Sequence, residues 1–533
     1  VDARRGGRGG RPRLGRGSPA VSAAPAVSKP LVEVHNKGLI TLSIMLATIM
    51  QVLDTTIANV ALPSMQSDLG ASADTINWVL TSYIVAAAIV TALTGWMADR
   101  LGRKRLFLIS VAGFVAASVA CGLSWSLTSM VAFRVMQGMF GAAIVPLAQT
   151  FMLDINPREK QGQAMAMWGA GIMVGPIIGP TLGGWLTESF DWRWVFFINV
   201  PVGIVAFLGC AANLPERPLV RRRFDLFGFA FIALGVGALQ MMLDRGAELD
   251  WFASPEVWIE LGLALIGFWV ATIHIATADQ PFLNPRMFAD FNFVAALVMI
   301  FVIGMVLMAS MALLPPMLSR IYGYPVMTTG MVMAPRGIGT MLSMVLVGRL
   351  VRVVDPRLLI ATGLGLTAYS LHLMTQFSPI MGSGPFVTSG VLQGIGMGLV
   401  FVPLSTTAFA TMAPALRADA TALFSLVRNI GSSIGISIVG FLLTRNIQVN
   451  HTELVSGLTA TAPEVVRLQP MLEAMPGGGA WGLLDGMVVQ QSLMIGYLDD
   501  FLVMMWLCIA VLPLTLILRR PQAATPAAAV HAE

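Results

Sequence analysis

Apolar runs of about 18 to 25 residues recur along almost the whole chain, and each is long enough to carry a helix across a bilayer. Hydrocarbon offers no water to an open backbone, so such runs fold as helices whose amides are satisfied within the segment. By length there are about fourteen spans, the first near 39–62 and the last two near 420–443 and 500–518. Hydrophobic residues make up 56% of the sequence and charged ones 11%, which excludes a soluble globular domain. The expected fold class is an all-α polytopic membrane protein.

Charge fixes the expected orientation. Basic residues cluster in alternate loops: Arg100, Arg103, Lys104 and Arg105; Arg158 and Lys160; Arg217 and Arg221 to Arg223; Arg349, Arg352 and Arg357; Arg519 and Arg520. The positive-inside rule sets these loops, and with them both termini, in the cytoplasm. These loops are short and lack interleaved aromatics, which argues against a nucleic-acid partner. Residues 1–37, rich in Arg, Gly, Pro and Ala, read as a disordered cytoplasmic tail, and 521–533 as a second cytoplasmic tail. The apolar run from Leu39 is too long for a signal peptide and has no small-residue cleavage site after it. Cys121, Cys210 and Cys508 lie inside spans and read as packing residues. The sequence holds no acidic cluster with metal spacing, no Walker loop and no nucleophile elbow. It therefore implies no metal and no cofactor, and transport would draw on an ion gradient.

A repeat divides the chain. Val135-Met136-Gln137-Gly138, followed by Val145-Pro146-Leu147, recurs as Val391-Leu392-Gln393-Gly394, followed by Val402-Pro403-Leu404. Span four then matches span twelve, and spans one to six match nine to fourteen. The domain expectation is a six-helix half over 38–213, a two-helix insert with linkers over 214–290, and a second six-helix half over 291–520. Duplicated halves are a transporter signature, with the substrate path between them. The second half is expected to carry a long external loop, 444–499, with short surface helices at Leu468–Met475 and Trp481–Tyr497 separated by a break at Pro476 to Gly479.

Two charges stand out inside spans. Asp54 lies about nine residues, roughly 13 Å, below the external end of span one, and Arg134 about six residues, roughly 9 Å, below that of span four. An isolated carboxylate near mid-bilayer costs about 2.5–3.5 kcal/mol, and a guanidinium facing the same cavity would offset it. Gly390 replaces Arg134 in the second copy, so folding of the repeat does not need the charge. One reading is a titrating proton site, with burial favouring the neutral acid and the cation favouring the carboxylate; the other is a static pair locking two helices.

In the basic loop Gly95 to Arg105, Gly95 and Gly102 permit a tight turn and close approach. Asp99 and Arg100 lie between them, Asp99 able to meet a helix N-terminus of the other half and Arg103 an acid such as Asp154. Contacts of that kind make a gate; a plain positive-inside anchor is the alternative. In span five, Gly171, Gly175, Gly179 and Gly183 recur every fourth residue beside Pro176, Pro180 and Gly184. That pattern makes a flat, kinked helix suited either to a sliding contact between the halves or to packing alone. Asn59, Gln137, Arg336 and Arg428 are the candidate substrate contacts; the two arginines could equally snorkel or bond backbone carbonyls. His372 is a weaker candidate for a proton relay.

Together these motifs resemble the major facilitator superfamily and, within it, the fourteen-helix drug:proton antiporters of the EmrB/QacA type. The match covers roughly Leu39 to Arg520, with Leu53-Asp54 through Pro63, the Gly95 loop, Arg134 with Gln137 and Gly138, the span-five glycines, Trp192 to Gly203, and Leu243 to Phe252. The resemblance implies a major facilitator fold with two inserted central helices, and a role for Arg134 in proton transfer. It implies proton-driven export of hydrophobic drugs and lipophilic weak acids across a bacterial inner membrane, with an EmrA-like periplasmic adaptor and a TolC-like outer-membrane channel. Spans ten and thirteen depart from the QacA side by lacking obvious acids and carrying Arg336 and Arg428, which favours neutral or anionic substrates over dications. A metabolite or siderophore exporter on the same scaffold is the alternative.

Overall fold

A computed structural model describes residues 36–216, 219, 223–351, 353–413, 415–458 and 479–518. The tail up to residue 35, Arg217, Arg221, Arg222, Arg352, the expected helix at 468–475, the break at 476–478 and the end beyond 518 lie outside the described residues. Among the described residues there are helices and no strands.

The first six helices are α1 (Lys37–Asp68), α2 (Trp78–Leu101), α3 (Arg103–Gly122), α4 (Leu127–Asp154), α5 (Glu159–Ser189) and α6 (Trp194–Asn213). Two more follow, α7 (Leu226–Arg245) and α8 (Pro255–Thr277). The remainder are α9 (Phe291–Arg320), α10 (Val326–Leu350), α11 (Pro356–Met374), α12 (Gly384–Ala410), α13 (Arg417–Gly457) and α14 (Gly479–Val511). Thirteen of these are long and apolar enough to cross a membrane. The other, α11, has 19 residues and carries Arg357 and His372, and it is covered by α12 and α14.

Packing repeats with the sequence. α1 lies on α5 and α6, as α9 lies on α13 and α14; α2 and α3 flank α4, as α10 and α11 flank α12. The halves meet where α13 crosses α2 and α4, and where α10 and α12 cross α5. α7 lies along this seam, against α2 and α13. Glycines set several crossings: a Cβ on Gly138 of α4 would stand 2.4 Å from the Tyr83 carbonyl oxygen of α2.

Two expectations need correction. Pro63 does not end α1, which continues to Asp68, so Asp54 lies about 20 Å below the helix end. Nor do the described parts of 444–499 form a loop: residues 444–457 and 479–499 are helical. α13 runs unbroken for 41 residues, about 60 Å, and Trp481–Tyr497 is continuous with the last span. The α14 extension buries Leu484 and Val488, and Gly496 faces Leu443 and Ile447, whereas no residue of 444–457 is buried and Val449 and Val455 are exposed.

Candidate functional site

The Asp54 side chain is 1% exposed and meets donors from two other helices. Its Oδ2 accepts from Arg134 Nη1 of α4 at 2.7 Å. Its Oδ1 accepts from Gln137 Nε2 at 2.8 Å and from Asn199 Nδ2 of α6 at 2.7 Å. Arg134 and Gln137 are one turn apart, so both project at Asp54, and Arg134 Nη1 also donates to Gln137 Oε1 at 2.7 Å. Arg134 Nε donates to the Val79 carbonyl of α2 at 3.0 Å, and the Tyr83 ring centroid lies 4.2 Å from the guanidinium carbon. Arg134 Nη2 is buried without a hydrogen-bond partner among the described residues.

The segment leading into α6 delivers Asn199. Trp192 Nε1 donates to Asp68 at 3.1 Å and Arg193 pairs with Asp68 at 2.8 Å, tying the start of α6 to the end of α1. Asn199 is further held by Ser118 Oγ at 3.0 Å. The sequence motif was visible, but its role was not: one amide in an apolar run carries no address.

Between the halves lies a cavity of about 340 Å³. Val52, Ile84, Met173, Met344, Met397 and Phe401 form apolar wall; Gln51, Thr55, Gln240, Asn429 and Arg428 are polar points on it. The Asp54–Arg134 pair does not line this space, as the sequence suggested it would. Tyr83 stands between the guanidinium and the cavity, and Gln51 and Thr55 flank Asp54 along α1. The pair sits one side-chain layer behind the wall.

Arg428 lines the cavity, and its Nη2 reaches Asn429 Oδ1 at 3.4 Å. Arg336 is buried away from it, with Nη2 donating to Ser310 Oγ at 2.9 Å and to the Leu307 carbonyl at 3.4 Å. Asn59 is exposed and outside the cavity lining, because the turn from Asp54 to Asn59 rotates it off the face that holds Asp54. His372 is exposed on α11.

At the basic end, Asp154 lies between two arginines of opposite halves, Arg103 of α3 at 2.5 Å and Arg417 of α13 at 3.3 Å. Thr150 Oγ1 and Thr421 Oγ1 meet across the seam at 2.8 Å. A Cβ on Gly95 would stand 2.9 Å from the Asp419 Cα, so α2 and α13 touch nearly backbone to backbone. Gly102 has φ +86°, in the left-handed region that a side chain would strain. Asp99 is half-buried at the same end, while Arg100 is exposed over the Trp96 ring. The sequence reading missed Arg417 and Asp419, which look there like ordinary loop charges.

The glycine ladder of α5 faces α1, its partner within the same half, and so is not the sliding surface between halves. Cβ atoms at Gly171, Gly175, Gly179 and Gly183 would meet Met45, Val52, Thr56 and Ile57, while one at Gly184 would meet nothing within 4 Å. The other face carries Met173 and Pro176 into the cavity and Ile177 against Gly337 of α10. A small-residue stripe announces close approach without saying whose backbone approaches.

The sequence profile of the Major Facilitator Superfamily matches residues 44–436. The chain belongs to the major facilitator superfamily. It is 35% identical over 468 residues to the multidrug export protein EmrB of Escherichia coli strain K12, covering 87% of this chain and 91% of that protein. It is 35% identical over 487 residues to the fatty acid resistance protein FarB of Neisseria gonorrhoeae, covering 90% and 96%. The human organic anion transporter MFSD10 shares the fold, with a TM-score of 0.57 at 13% identity over 88% of this chain and 99% of that one. Within the superfamily this is an EmrB-type exporter, a multi-pass membrane transporter and not an enzyme.

Proposed function

We propose that the protein is a proton-driven antiporter that exports hydrophobic drugs and lipophilic weak acids by alternating access. The observation that carries this reading is the buried Asp54–Arg134 pair, set one side chain behind a mostly apolar cavity between two halves. A proton on Asp54 Oδ2 would displace Arg134 Nη1 and leave Oδ1 a weaker, uncharged acceptor for Gln137 and Asn199, loosening α1 from α4 and α6. The contacts at the basic end hold the cavity closed toward the cytoplasm in this state. Relatives named for multidrug export and fatty acid resistance support the substrate class, and the Arg428 cation in an apolar cavity suits an amphipathic acid. The setting is a bacterial inner membrane with cytoplasmic termini, and the partners are an EmrA-like adaptor and a TolC-like channel.

One charge crossing about 150 mV supplies roughly 3.5 kcal/mol, enough for a gradient of a few hundredfold. Asp54→Asn preserves the size of the side chain but cannot exchange a proton. It is expected to insert and fold yet to lose efflux driven by an imposed pH gradient in proteoliposomes. Wild-type efflux from that variant would end the coupling mechanism.

A further inference from the structure

The two halves are built alike at their buried polar centres, but their charges are not balanced alike. The offset that relates Gln137 to Gln393 also relates Asp54 to Ser310 and Arg134 to Gly390. The contacts obey the same correspondence: Gln137 Nε2 donates to Asp54 at 2.8 Å, and Gln393 Nε2 donates to Ser310 Oγ at 3.4 Å. The second half also has its guanidinium, supplied by a neighbouring helix. Arg336 of α10 packs where Gly390 leaves room, its Cβ 3.4 Å from the position a Gly390 Cβ would take. What is missing is the acid. Arg336 bonds only the Ser310 hydroxyl and the Leu307 carbonyl among the described residues, and its Nη1 is buried without a partner. Gln393 Oε1 is likewise buried and unpartnered.

Arg336 is 6% exposed and has no carboxylate partner among the described residues, so its guanidinium bears a desolvation cost that an incoming anion would offset. The approach is short. Leu307, whose carbonyl Arg336 touches, and Thr340, one turn along α10, both line the cavity. We propose that Arg336 and Ser310, with Gln393 beside them, form an anion-accepting subsite in the C-terminal half that takes the carboxylate head of an amphiphilic acid while its chain lies in the cavity. The proposal rests on the export reading and names the place of the charged group. It also gives the duplication a division of labour: the first half supplies its own carboxylate, and the second would take the substrate's.

The test is binding of radiolabelled octanoate to the full-length protein, competed by unlabelled octanoate or by octan-1-ol, which keeps the chain and removes the charge. Arg336→Gln and Ser310→Asp are each expected to weaken octanoate binding at least tenfold and to leave octan-1-ol competition unchanged. Ser310→Asp keeps the cation and installs the counter-ion, so it decides the matter if Arg336→Gln does not fold. Arg336→Lys is expected to stay within a few-fold of wild type. The proposal is overturned if the wild type binds no octanoate saturably, if Ser310→Asp binds it normally, or if only Arg428→Gln impairs it. Asp54→Asn is expected to bind octanoate while failing to export it, which separates failure of the subsite from failure of proton coupling.

Discussion

Three side chains donate to Asp54, and each comes with its own support: Arg134 from the Val79 carbonyl, Gln137 from its neighbour Arg134, and Asn199 from Ser118. A carboxylate so enclosed is held in one geometry, and hydrogen bonds to a charged group are worth about 1.5–3 kcal/mol each. Asn199→Ala is expected to lower the thermal midpoint of the purified protein by several degrees. In a double-mutant cycle with Asp54→Asn its effect should shrink by at least about 0.5 kcal/mol, because the two residues act on one another. Additive losses would mean that Asn199 supports α6 without reference to Asp54. At this scale the sequence was partly legible. Asp54 and Arg134 stood out because charge in an apolar run is costly. Asn199, Arg417 and Asp419 did not, since an amide in a span and charges near a helix start are common.

At the scale of elements, the closeness of α5 to α1 is set by glycines that leave no room for a side chain. A Cβ at Gly179 would stand 2.2 Å from Thr56 Oγ1, half a turn from Asp54, whereas one at Gly184 meets open space. Gly179→Val is expected to insert normally but to cut efflux more than tenfold, by displacing α1, and Asp54 with it, relative to its partners on α4 and α6. Gly184→Val should export at close to the wild-type rate. Equal loss in both variants would point to general damage to the helix. Most span positions could be read from the sequence because lipid imposes a length that composition reports. The ends of α13 and α14 could not: beyond residue 443 α13 continues as polar turns with no buried residue, and such turns carry no apolar run of fixed length. The ladder gave the right surface and the wrong neighbour, since small side chains mark contact but not its partner.

For the whole molecule, the contacts that decide the proposed alternating-access cycle are those that would form in one state and break in the next. Asp154 bridges Arg103 and Arg417, and Thr150 meets Thr421, all at the basic end and all between elements of opposite halves or their supports. The cavity lies on the far side of them, so the proposed alternating-access cycle requires this seam to part once per turnover. The threonine pair offers a reversible lock, because its oxygens are 2.8 Å apart and fully buried, and the native Cys121, Cys210 and Cys508 are buried elsewhere. The double variant Thr150→Cys, Thr421→Cys is expected to form a disulfide under mild oxidant, to lose efflux when linked, and to regain it on reduction. A proton gradient with substrate present should change the linking rate, since both shift the balance of open and closed forms. If the linked protein exports at the rate of the reduced one, the basic end does not open during transport. The substrate path would then have to run around the seam, along α7, whose Gln240 lines the cavity and whose neighbours are α2 and α13.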